Sequence, residues 1–262
     1  MPTKIIYVLL LLFYFSCTGN SSSGNDKNTF TDRKITEEKN GNPYKNISEI
    51  PVPEGFQRNV PEKSSFAYWL RNISLKKDRT VYKYDGSLKA NQSAQFAVLD
   101  ISVGKEDLQQ CADAVMRLRA EYLYSKQAYD SILFIDNEGG HYQFGKPYDR
   151  SHFDQYLQKV FGMCGSASLS KQLNAVNFSS IASGDVIIRG GFPGHAVMVV
   201  DVAQNAAGKK IYLIAQSYMP AQDIHVLVNP VAKNISPWYE VNDEKLIITP
   251  EYLFYNNELK RW

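Results

Sequence analysis

The chain has 262 residues, of which 44% are hydrophobic and 13% aromatic, and its formal charge is +2. That is enough for one sizeable core, or one core with a small subdomain. The near balance of charge argues against a general attraction to nucleic acid. The four histidines form no metal motif: His152/His195 and His141/His225 lack ligand spacing, and no HExxH, CxxC or EF-hand loop occurs, so no metal or cofactor is expected.

The N-terminus reads MPTKIIYVLLLLFYFSC. Lys4 precedes an apolar run over residues 5–15, which is too short to span a membrane comfortably and reads as a secretory signal. Ser16-Cys17 followed by the polar CTGNSSSGNDKN predicts a bacterial lipoprotein processed at Cys17, where two acyl chains give stable attachment. An ordinary secretory signal with an incidental cysteine is the alternative. Residues 18–50 are rich in Ser, Asn, Gly, Lys and Glu and read as a flexible tether. Residues 51–262 read as a single α+β domain without internal repeats.

Within that domain FAYWLRNISL predicts a short helix or turn, VYKYDGSL a strand with an Asp85-Gly86 turn, and AQFAVLDISV a buried strand. KEDLQQCADAVMRLRAEYLYSKQ is the clearest helix. Leu108, Cys111, Ala112, Val115, Leu118 and Tyr122 recur at three- and four-residue steps, and Glu106 and Asp107 sit in the expected first turn. SILFID and HYQFG predict short strands, SHFDQYLQKVFGM a second amphipathic helix and SLSKQL a third. DVIIR, HAVMVVDVA, KKIYLIAQSY and DIHVLVN then read as strands. Helices followed by an antiparallel run indicate α+β architecture.

The strings YDGSLKANQ, LQQCADAVMRLRAEYLY, SGDVIIRGGFPGHAVMVVDVA, LIAQSYMPAQDIH and SPWY resemble an uncharacterised family of bacterial envelope proteins, domain of unknown function 4846. A second resemblance carries chemistry. SGDVII, GHAVMVVDV and IYLIAQS look like the C-terminal half of the papain-like cell-wall amidases of the NlpC/P60 and CHAP groups. That likeness implies a papain-like fold, with helices on a small antiparallel sheet, and a bacterial cell-envelope location. It also implies a cysteine amidase or peptidase acting on peptidoglycan peptides or a related envelope amide.

Amide cleavage of this kind needs a thiolate, a histidine to take its proton and a polar group to hold the imidazole. The resemblance assigns His195 as base and Gln216 as orienter, with Ser217 beside it. Pro193-Gly194 would let a substrate backbone approach the imidazole. Cys111 follows Gln109-Gln110 as in CHAP domains and is the candidate nucleophile, although it also fits the apolar stripe as a small buried hydrophobe.

Cys164 is the second candidate. Matching the second helix to the NlpC/P60 catalytic helix instead puts the nucleophile slot near His152-Phe153, where no cysteine stands. A Cys111–Cys164 disulfide would silence both thiols. Gln110, Ser217, Tyr218 and Gln222 are candidate substrate contacts, with Asp223 and His225 in the same loop. Arg117 and Glu121 read as a helix-surface pair or a carboxylate clamp. A non-catalytic lipoprotein binding wall peptide or a protein partner is the rival function, and a purely structural envelope component a third.

Overall fold

The computed structural model describes residues 41–262. The expected signal segment and Cys17 lie outside the described residues, as does most of the expected tether. The last ten positions of that tether are instead packed. Ile47 and Ile50 are fully buried, and the Asn42 side chain donates to the carbonyls of Tyr44 and Lys76 at 3.1 and 2.9 Å. Two isoleucines spaced three apart in a polar stretch are enough to dock it.

The elements run β1 (Phe56–Arg58), α1 (Phe66–Arg71), β2 (Gln95–Val98), α2 (Cys111–Ser125), β3 (Leu133–Ile135), β4 (His141–Gln143), α3 (Arg150–Met163) and α4 (Ser166–Gln172). There follow β5 (Asn174–Ala175), β6 (Val186–Arg189), β7 (His195–Asn205), β8 (Lys210–Gln216), β9 (His225–Leu227), β10 (Tyr239–Glu240), β11 (Leu246–Ile248), β12 (Leu253–Tyr255) and β13 (Leu259–Arg261). The architecture is α+β. The sheet is larger than expected: nine strands in the order β2-β9-β8-β7-β6-β13-β5, with β1 added on β7 and β10 on β8. All its pairings are antiparallel. β3–β4 and β11–β12 are separate hairpins.

The long strand β7 is the spine. Ala196, Met198 and Val200 face a core shared with α2, α3 and α4, while Val197 and Val199 face a second core with Tyr212, Ile247 and Phe254. Burial on both faces explains why HAVMVV shows no polar alternation. Each such valine contributes roughly 1.5–3 kcal/mol by leaving water. Asp201 lies farther along the same strand, fully buried. It accepts from Arg58 Nε at 2.6 Å and from Arg71 Nε at 2.9 Å, which ties β1 and α1 to β7. Arg58 also donates to the carbonyls of Ile47 and Ile50 at 3.3 and 2.7 Å.

α2 begins six residues later than the apolar periodicity predicts, at Cys111. Gln110 is extended (φ −89°, ψ −159°), and Asp113 Oδ2 accepts its backbone N–H at 3.0 Å, which closes the helix start from within. Asp107, expected in the first turn, is used elsewhere. Its Oδ1 accepts from the Ala221 amide at 2.6 Å and from Gln110 Nε2 at 3.1 Å, holding the β8–β9 loop against the α2 entry. The consequence is that Cys111 is the first residue of the helix rather than one turn inside it. No helix among the described residues is long and apolar enough to cross a membrane.

Candidate active site

Three elements deliver the site. Cys111 opens α2, His195 opens β7, and Gln216 ends the neighbouring strand β8. Cys111 is 8% exposed, His195 2% and Gln216 1%. The amide of Ala196, the residue after His195, faces the Cys111 thiol, as do the amides of Cys111 and Ala112 at the helix start. His195 Nε2 lies 2.8 Å from Gln216 Oε1. Among the described residues no hydrogen bond reaches His195 Nδ1.

The electrostatics favour a neutral resting pair. Burial, with the nearby Asp113 carboxyl adding to it, pushes the Cys111 thiol above its ordinary range, and the three backbone amides pull only partly against this. Burial pulls His195 down to about 4, with the Gln216 bond opposing it. Asp113 is itself held well above the carboxylate range by burial, and its Oδ1 is buried without a partner. Cys164 caps the end of α3, where burial lifts its thiol to about 11. Both thiols are free, so the disulfide considered from sequence is not formed.

An aromatic box encloses the imidazole. The rings of Tyr218, Tyr252 and Phe254 lie 4.9, 4.8 and 5.6 Å from that of His195. Tyr218 and Tyr252 are half-buried, whereas Phe192, in the loop before His195, is 90% exposed. Gly194 is not an open approach for substrate. A Cβ there would lie 2.7 Å from the carbonyls of Arg189 and Gly191 and would collide with Ser166 Oγ, so the protein itself occupies that side.

The other sequence candidates divide. Ser217 is fully buried, with its hydroxyl between the carbonyls of Gln109 and Gln222 at 2.9 and 2.8 Å, and it clips the end of β8 to the α2 entry. Gln222 is buried in that clip, and Gln110 is the N-cap of α2. Ser217 is thus spent within the protein, and Tyr218 stands half-buried against the imidazole. Asp223 pairs with Lys76 at 2.8 Å and accepts from the Tyr82 amide at 3.1 Å. Arg117 is spent on Glu121 (2.7 Å) and Gln109 Oε1 (3.3 Å), and Glu121 also takes Arg150 at 2.7 Å, so this is a paired surface rather than a clamp. His141 is exposed and His152 half-buried, the latter held by the Pro147 carbonyl at 2.8 Å.

Sequence reasoning missed the residues behind Gln216. Gln216 Nε2 donates to Glu251 Oε2 at 2.8 Å, and Lys89 Nζ donates to the same oxygen at 2.7 Å. Lys89 Nζ also lies 3.2 Å from His225 Nε2, and His225 Nδ1 donates to the Asp223 carbonyl at 2.9 Å. Burial and the Lys89 charge pull His225 down to about 3. No sequence pattern joins Lys89, Gln216 and Glu251, which meet only through the loops at one end of the sheet.

Two clefts lie near this centre. A cavity of about 550 Å³ is lined by Trp69, Tyr122, Arg117 and Arg150. A second, of about 420 Å³, shares both arginines and reaches Leu108 and Gln109, two residues from Cys111. Among the described residues no group of three or more His, Cys, Asp or Glu side chains is placed to hold a metal ion.

The domain is α+β, with a thiol at a helix start faced by the amide of the residue after a buried histidine. The chain belongs to the family described as Domain of unknown function (4846), which it matches over residues 47–147 and 141–261. No curated protein and no solved structure matches it.

Proposed function

We propose that the protein is a papain-like cysteine amidase or peptidase. The observation that carries this reading is the Cys111 thiol set against the amide next in chain to His195, whose imidazole is bonded to Gln216. The thiol sits in a ring of three backbone amides, one of them from the residue after His195, and the imidazole is held through Nε2 at 2.8 Å. A helix start on an antiparallel sheet whose adjacent strands carry the histidine and the amide supports the papain-like assignment.

In this mechanism Cys111 Sγ attacks the substrate carbonyl while its proton passes to His195 Nδ1. The C–N bond then breaks, and the same proton goes to the departing amine. Water, deprotonated by the freed imidazole, hydrolyses the thioester and returns the thiol. The resting pair is neutral, so proton transfer accompanies attack instead of preceding it. The amides of Cys111 and Ala112 are donors suited to developing negative charge at a helix start.

The substrate proposed is an amide of peptidoglycan peptides or a related envelope peptide. The support is the sequence likeness to wall amidases and the export signal with Cys17, by which the protein would be lipid-anchored in a bacterial cell envelope. The test is hydrolysis of muropeptides by the full-length protein. Release of an amine product that is lost in Cys111→Ala and in His195→Ala sustains the reading, and no release by the wild type under any condition removes it.

The tight cover over the site favours one second reading, a lipoprotein that binds wall peptide or a protein partner without cleaving it. Binding of muropeptides that persists in Cys111→Ala, with no product from wild type, would select it.

A further inference from the structure

We infer that Glu251 is a positioning residue: its carboxylate fixes the amide of Gln216 and, through it, the tautomer of His195. The argument is one of donors and acceptors. An ionised carboxylate accepts hydrogen bonds and cannot donate them. Glu251 Oε2 takes Lys89 Nζ at 2.7 Å and Gln216 at 2.8 Å, so the Gln216 group facing it is the NH₂. The other end of that amide, Oε1, then faces His195 Nε2 at 2.8 Å and can only accept. Nε2 of neutral His195 therefore carries the proton, and Nδ1 carries the lone pair.

Lys89 pairs with Glu251, and it is held in turn. His225 donates through Nδ1 to the Asp223 carbonyl, which leaves its Nε2 as an acceptor 3.2 Å from Lys89 Nζ. The chain Asp223 carbonyl–His225–Lys89–Glu251–Gln216–His195 thus has one consistent set of proton positions. Nδ1 is the ring nitrogen nearer the backbone, and with its lone pair free it is the one that would take the Cys111 proton. That last step rests on the cysteine amidase reading; the tautomer assignment does not.

The experiment is multiple-bond ¹⁵N–¹H NMR of the full-length, ¹⁵N-histidine-labelled protein at pH 7, with His195→Gln identifying the His195 signals. In wild type, Nε2 of His195 should appear in the protonated-nitrogen region and Nδ1 in the unprotonated region. In Glu251→Leu the oxygen that Lys89 and Gln216 share is gone. Gln216 is then free to turn its NH₂ to His195, and the two His195 signals should leave their separate regions and move toward averaged positions. His225, bonded through Nδ1 to a carbonyl, should keep its Nδ1–H tautomer in both proteins, which separates this effect from general disruption.

A wild-type His195 protonated on Nδ1 overturns the proposal whether or not the variant folds. So does a folded Glu251→Leu in which both His195 signals keep their wild-type regions. Tautomers that behave as stated, in a protein that releases no product from muropeptides, leave Glu251 in its role and remove the amidase reading alone.

Discussion

His195 and Gln216 sit on adjacent antiparallel strands, at the same end of the sheet, with Nε2 and Oε1 2.8 Å apart. The bond uses the ring nitrogen remote from the backbone. It leaves Nδ1 without a partner among the described residues, while the amide of the next residue, Ala196, faces the Cys111 thiol. The chemistry of the site is decided by where protons sit at rest, and this can be tested without knowing a substrate.

Cys111 should alkylate slowly at neutral pH in the folded protein and quickly in denaturant, because burial holds its thiol above the ordinary range. Cys164, lifted to about 11, should be protected in the same way. A raised thiol pKa means that the folded state keeps protons which the unfolded state releases. The associated stability is complete below pH 9.0 and is lost as pH rises toward 11 for Cys164. Iodoacetamide labelling against pH, resolved by peptide mass spectrometry, checks this. Fast labelling of Cys111 at pH 7 would mean a preformed thiolate–imidazolium pair instead.

Much of the fold is legible from periodicity. The amphipathic stripes of α2 and α3 and the apolar runs of β6 to β9 appear at their places, because each buries a continuous face. Periodicity misplaces the start of α2, since Leu108 continues the apolar rhythm while Asp107 is drawn off to the Ala221 amide. The strands after Tyr239 are two or three residues long and carry no readable pattern. Cys111, His195 and Gln216 were singled out by resemblance to wall amidases; the structure bonds His195 to Gln216 and sets the Ala196 amide against the Cys111 thiol. Ser217 and Gln222 illustrate the opposite case. Polar residues in a loop look available, yet backbone carbonyls satisfy Ser217 inside the protein. Glu251 lies 35 residues beyond Gln216, and nothing in PEYLFY marks its role.

Acid should destabilise the fold through its two buried histidines. His195 and His225 are lowered from 6.5 to about 4 and about 3, so the unfolded state binds protons that the folded state refuses. Their stability is fully present above pH 6.5 and is lost as pH falls toward those values. Each should remove about 2 kcal/mol between pH 6.5 and 5, from 1.36 kcal/mol per pH unit. Urea midpoints at pH 7 and 5 measure the sum, and His195→Gln should show a smaller loss between the two than wild type. An equal loss would place the acid sensitivity elsewhere.

Asp201→Ala should cost about 3–5 kcal/mol, the range for breaking a buried ion pair from one side. Arg58 and Arg71 would both lose their carboxylate, and Arg58 anchors the carbonyls of Ile47 and Ile50 as well. The urea midpoint should fall, and proteolysis should reach residues 41–50 first. A loss below about 1 kcal/mol, within the range of an exposed pair, would show that the two arginines find other partners.

Tyr218→Ala should expose the site without dismantling it. The Tyr218 ring lies against His195 and is half-buried, and its hydroxyl reaches only the Glu251 carbonyl at 3.5 Å, so little else depends on it. Removing the ring admits water beside the Cys111 thiol and relieves the burial that raises it. A fall of about one unit in the thiol pKa raises the thiolate fraction about tenfold below that pKa. Labelling of Cys111 at pH 8 should therefore rise about tenfold, while Cys164, at the far end of α3, keeps its wild-type rate. Equal rates for Cys111 in wild type and variant would mean that reagents arrive along the cleft past Leu108 and Gln109, and that Tyr218 walls the imidazole rather than gating the thiol.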